Sequence, residues 1–120
     1  MVNGENAVEE KSFEFAVRIV NLVKYIRNKD KEFVLTKQLL RCGTSIGANV
    51  AEGQRAQSKA DFYAKMSIAL KEANETDYWL RLLCRTDYIS QKEYESMEKV
   101  ADELIRILVA ICKTASESRK

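Results

Sequence analysis

The chain has 120 residues, 46% of them apolar and 32% charged, which describes one domain with material for a core and not a disordered segment. It holds no Pro, four Gly and no His. So little turn material argues against a barrel or sandwich of many short strands. The missing His excludes His-based triads, the common zinc sites and the Glu-x-x-His pairs of di-iron bundles. Twenty basic against eighteen acidic residues leave a formal charge of +2, too balanced to imply a nucleic-acid partner alone. Three cysteines, Cys42, Cys84 and Cys112, are odd in number and lack Cys-x-x-Cys spacing, so they read as small core hydrophobes. The longest apolar run, Ile107 to Cys112, falls far short of the ~20 residues that cross a bilayer. The opening MVNGENAVEEKSFEF is acidic before it is apolar, the reverse of a signal peptide. These features predict a cytoplasmic protein with no membrane association and no cofactor.

The first periodic segment runs from about Ser12 to Asn28. Phe15, Ile19, Leu22 and Ile26 share one helical face, Ala16, Val20 and Val23 widen it, and the polar stretch Arg27 to Lys31 closes it. The second starts between Phe33 and Thr36 and continues to about Arg55, with Leu35, Leu39, Cys42, Ile46 and Val50 inward. Gly43 and Gly47 sit one turn apart beside Ala48 and Ala51. Each Gly costs a helix about 1 kcal/mol relative to Ala, so another helix should approach closely there. Gly53 is placed to end the helix or to allow a bend, through its tolerance of positive φ.

The third segment opens on Ser58 and Asp61, which have capping-box spacing. Phe62, Met66, Ala69, Ala73, Thr76, Leu80 and Leu83 form its main stripe. Ile68, Trp79 and Leu82 form a second stripe about 110° away, with Glu72 and Glu75 inside it. A helix in an isolated bundle needs only the first stripe, so the second implies another partner, with Ile68, Trp79 and Leu82 as the candidate interface. The turn Thr86-Asp87-Tyr88 leads to a fourth helix, opened by Ser90 and Glu93 with Ile89 and Tyr94 as a hydrophobic staple. Met97, Ala101, Leu104, Leu108, Ile111 and Ala115 make its seam, and residues 116–120 are expected to fray. The prediction is one all-α domain over residues 1–120, an antiparallel up-down four-helix bundle with its core in about residues 12–115.

Thr44 to Gly53 interrupts an apolar face with small and polar groups. Asn49 at its edge needs partners, and Glu72 and Glu75 are the acceptors in reach if helix three packs on the glycine side of helix two. The functional reading is a carboxylate site for metal or acid–base chemistry built on Glu52, Glu72 and Glu75. The structural reading, preferred here, is a polar network that fixes register, with no catalytic and no metal-binding residues.

These residues carry a resemblance. SIGANVAEG (45–53), preceded by LTKQLLRCGTS (35–45) and followed by IALKEANETDYWLRLL (68–83), resembles the bacterial four-helix-bundle family named for proteins encoded in 23S rRNA intervening sequences. The likeness runs from about Phe13 to Ile111. Ser45, Ile46, Asn49, Ala51, Glu52 and Gly53 match its first motif, and Ala69, Glu75 and Leu80 match its second. Many relatives carry Gly-Ser where this chain has Lys71-Glu72. The resemblance implies a homo-oligomeric, pentameric ring around a channel and no established catalytic activity. A related accessory protein of diversity-generating retroelements binds nucleic acid and a reverse transcriptase, but those contacts lie outside the shared motif.

The leading function is a non-enzymatic scaffold or adaptor that assembles with itself. That scaffold would hold a protein partner; the alternative is nucleic-acid (RNA) binding through the segment Lys24 to Arg41. There Lys24, Arg27, Lys29, Lys31, Lys37 and Arg41 face only Asp30 and Glu32, a net +4. No stacking motif accompanies that patch, and Lys92 to Arg106 holds five acidic and three basic residues. A helix-turn-helix over VAEGQRAQSKADFY is disfavoured because its Gly stands at 53 and not near Arg55 or Ala56.

Overall fold

Four long segments with helical apolar period and no internal Pro satisfy their backbone as helices and hide their stripes against one another. A computed structural model shows that outcome, describing the backbone of residues 4–119 and the side chains of residues 7–117. Residues 1–3 and 120, part of the expected 1–120 domain and of its acidic opening, lie outside the described residues. The helices are α1 (Gly4–Asp30), α2 (Leu35–Gly53), α3 (Lys59–Arg85) and α4 (Gln91–Arg119). Each packs on the next and α4 closes on α1, while among the described residues the diagonal pairs bring no two Cα atoms within 8 Å and meet only through side chains of the core. Contacts such as Ser12 against Gly47, Arg41 against Glu75 and Arg18 against Ser96 run in opposite chain directions, so the bundle is antiparallel and up-down. It measures 48 × 22 × 22 Å.

The first helix begins eight residues before Ser12. Val8 is fully buried and Ser12 is buried beside Gly47, with its hydroxyl donating to the Glu9 carbonyl at 3.2 Å. The stripe therefore extends through a Ser and past Glu9 and Glu10, which disguise it in the sequence. At the other end α4 continues as helix to Arg119, through the stretch expected to fray.

The inward stripes form one core. Phe15, Ile19, Ile26, Leu39, Ile46, Met66, Leu80, Leu83, Leu104 and Leu108 are fully buried, and no described side chain leaves a buried polar atom without a partner. The glycine face of α2 receives α1. A Cβ on Gly43 would stand 2.8–3.0 Å from three Ile19 side-chain atoms, and one on Gly47 would meet the Ser12 carbonyl oxygen at 3.2 Å. Gly53 does end α2, as expected, but not through positive φ, which no described glycine adopts. Its missing Cβ leaves room for α3, because a methyl there would lie 2.7 Å from Met66 Cε and 3.2 Å from Lys65 Cβ.

The turns carry their own chemistry. Lys31, at φ 56°, and Asp87, at φ 69°, take the left-handed conformation that ends α1 and α3. Asp87 N–H donates to the Cys84 carbonyl and Tyr88 N–H to that of Leu83, the paired bonds of a Schellman turn. The Ser90–Glu93 box is complete, with Glu93 N–H donating to Ser90 Oγ at 3.0 Å and Ser90 N–H to Glu93 Oε1 at 2.8 Å. At Ser58 only the forward half forms, from Asp61 N–H at 3.0 Å.

At the start of α2 no side chain of the adjoining residue caps, and Glu32 supplies the acceptor. Its carboxylate accepts the amides of Val34, Leu35 and Thr36 at 2.9–3.0 Å. Burial alone would raise its pKa, but the three amides outweigh burial and hold the carboxyl below its ordinary 4.5. A depressed carboxyl stabilises the fold above its unfolded pKa and loses that contribution as pH falls through the folded value. Glu32→Ala should cost about 1 kcal/mol at neutral pH. Urea titrations at falling pH should show the gap from wild type closing below 4.5. Gly43→Ala should destabilise by about 1–3 kcal/mol despite its better helix propensity. The cost of Gly43→Ala with Ile19→Ala should fall well short of the sum of the two single changes, a coupling that a double-mutant cycle reads directly.

Candidate functional site

The expected motif residues do not converge on a cleft. Ile46 is core, and Ser45 and Asn49 form a local pair in which Asn49 Nδ2 donates to the Ser45 carbonyl at 2.9 Å and to its hydroxyl at 3.0 Å. Asn49 does not reach Glu72 or Glu75, which corrects the expected acceptors. The glycine side of α2 is taken by α1, and the register that sets Gly53 by Met66 and Arg41 by Glu75 puts Asn49 about one turn short of Glu72. Glu52 is exposed and pairs with Lys65 at 3.1 Å.

Glu72 and Glu75 instead hold Arg41. The guanidinium lies 3.3 Å from Glu72 Oε1 and also pairs with Glu75 Oε2, which in turn accepts the indole N–H of Trp79 at 3.0 Å. Glu72 retains 12% of its side-chain exposure, against 49% for Arg41, so the acid is the partner that would suffer from losing the pair. Among the described residues no group of three or more His, Cys, Asp or Glu is arranged to hold a metal ion. Burial pushes the Cys42 and Cys112 thiols above their ordinary pKa, partly offset by Thr76 and Ser67 hydroxyls, which keeps both as thiols and not nucleophilic thiolates.

The basic segment is spent largely on the α1–α2 corner. Arg27 Nε donates to the buried Thr36 hydroxyl at 2.9 Å, and its guanidinium lies 5.5 Å from the Phe33 ring centre. Lys29 pairs with Asp30 and sits over the Tyr25 ring, Lys31 donates to the Asn28 carbonyl, and Arg41 is held on α3. Lys24 and Lys37 remain as exposed ammonium groups.

The second α3 stripe divides. Ile68 is 41% exposed, whereas Trp79 and Leu82 are half-buried, with Trp79 packed on the core and edge-on to Tyr78 at 5.1 Å. A larger apolar surface lies where sequence reasoning did not look. Phe13, Val17 and Val20, at 65%, 41% and 37% exposure, form a line on the outward side of α1. Their spacing of four and three was the available signal, masked because Val20 reads in the sequence as a widening of the inward stripe, whereas the structure turns it outward.

The sequence matches the 23S rRNA-intervening sequence protein family over residues 4–110. The chain belongs to that family. Among solved structures it is similar to a protein of unknown function from the S23 ribosomal protein family of Bacteroides thetaiotaomicron. The two share 57% identity at a TM-score of 0.91, over 92% of this chain and 99% of the other. No curated protein matches. In this intervening-sequence protein the residues of the shared motifs thus act within the bundle: Gly53 admits α3, Ile46 fills the core, and Glu75 joins Arg41 to Trp79. Arg41→Met should therefore cost about 1–2 kcal/mol, by stranding Glu72, while Asn49→Ala should cost under about 1 kcal/mol, since its bonds are local. Urea unfolding of the two variants checks the order.

Proposed function

We propose that this protein is a non-enzymatic cytoplasmic scaffold that works as a homo-oligomer, its copies joined into a pentameric ring. The observation that carries the reading is the outward line Phe13, Val17 and Val20, in a bundle whose core is already filled without it. Contiguous exposed apolar residues on a stable domain mark a contact surface. A second apolar position, Ile68, stands on α3, which lies diagonally across the bundle from α1. Two unlike faces favour a head-to-tail contact, which closes into a ring when the rotation allows, over a two-fold dimer that would use one face twice. Catalysis is disfavoured because Glu52, Glu72 and Glu75 already face Lys65 and Arg41. Nucleic-acid binding is disfavoured because most of the basic segment is engaged in the fold.

Light-scattering chromatography tests the reading. Wild type should elute at several times the chain mass with no salt-removable absorbance at 260 nm. Val17→Glu and Ile68→Glu should each shift it towards monomer while helical circular dichroism is kept. A monomeric wild type would overturn the proposal, and co-purifying nucleic acid lost on a Lys24→Glu, Lys37→Glu change would favour the alternative.

A further inference from the structure

Three of the four helix seams are tightly packed, and the α1–α4 seam is the sparsest. Towards the C-terminal half of α1 it opens into a groove of about 480 Å³, within the roughly 300–1,000 Å³ range of small-molecule sites. We infer that this groove binds a small organic anion with a flat apolar body, such as an aryl phosphate or aryl carboxylate.

The floor is apolar, made by Leu22 of α1 and Met97 of α4, and Tyr25, half exposed, supplies an aromatic wall. The rim is cationic from both sides, with Arg18 on α1 and Lys92 on α4. Arg18 is positioned before any ligand arrives, since one terminal nitrogen donates to Ser96 Oγ at 2.8 Å and the other lies 3.5 Å from the Ser96 carbonyl. A guanidinium fixed in this way keeps further N–H donors for an anion and has already lost part of its rotamer freedom. Glu93 is the acid in the lining, and its carboxylate is committed to the Ser90 amide as half of the α4 capping box. The groove therefore pairs an oily bottom with net positive charge at its mouth. Charge complementarity selects an anion, and the Leu22–Met97 floor with the Tyr25 wall selects a flat apolar body. The inference does not depend on the oligomeric reading, because all of these residues belong to one chain.

Calorimetric titration of the full chain with 1-naphthyl phosphate tests it, with 1-naphthol and inorganic phosphate as the two halves of the probe. Saturable binding of one 1-naphthyl phosphate per chain is expected, with each half binding at least about tenfold more weakly. Arg18→Gln and Lys92→Gln should each weaken binding several-fold, whereas Lys99→Gln, on the same helix outside the groove, should leave it unchanged. Arg18 and Lys92 are both exposed, so neither change threatens the fold. No saturable binding up to millimolar probe, equal binding of 1-naphthol, or affinity unchanged in both groove variants would each overturn the inference.

Discussion

The bundle depends on the contact made where α2 has no side chains. Gly43 and Gly47 let α1 approach until Ile19 and the Ser12 backbone occupy the space of two missing methyl groups. That approach fixes the rotation of α1 about its axis. With Phe15, Ile19 and Ile26 directed inward, Phe13, Val17 and Val20 must face out and Arg18 must face α4. Both the surface proposed for self-association and the groove proposed for an anion are thus consequences of a helix–helix distance set by two glycines. The helix penalty of each Gly is offset by burial that no larger residue would permit.

Electrostatics shapes the α1–α2 corner as well as the helix seams. The acidic residue closest to the α2 start, Glu32, serves as its cap, and the cations around it are drawn into the same joint by Thr36, Phe33, Asp30 and a backbone carbonyl. A run of positive charge in a sequence is usually counted as potential for a polyanion. Here half of its six cations, Arg27, Lys29 and Lys31, act at the turn between two helices, Arg41 is claimed by α3, and only Lys24 and Lys37 are left to solvent.

Much of the architecture was legible in the sequence because the inward positions of α2, α3 and α4 keep helical period throughout, even where small or polar residues interrupt the apolar face. Ala101, Leu104 and Leu108 fall where the seam of α4 places them, and the Ser90–Glu93 box announces where that helix starts. The start of α1 was not legible, since Ser12 is polar by type yet buried by virtue of Gly47, a fact about another helix. The partners of Asn49 were hidden for a related reason: which neighbour takes the glycine side of α2 is decided by tertiary packing, and period alone leaves α1 and α3 equivalent. Arg41 was read as part of a surface patch, because the carboxylates that claim it stand more than thirty positions away.

The sparse α1–α4 seam also has a kinetic meaning. Every other helix seam joins neighbours in sequence, so the chain is a succession of three helical hairpins, each able to form through short loop closures. The α1–α4 contact alone spans most of the chain, as in the pairing of Lys11 with Glu103, and little packing rewards its closure. On contact order alone, the three hairpins are expected to form before α1 and α4 meet. The same seam is the one expected to open first in the folded protein, at lower free energy than the three hairpin seams.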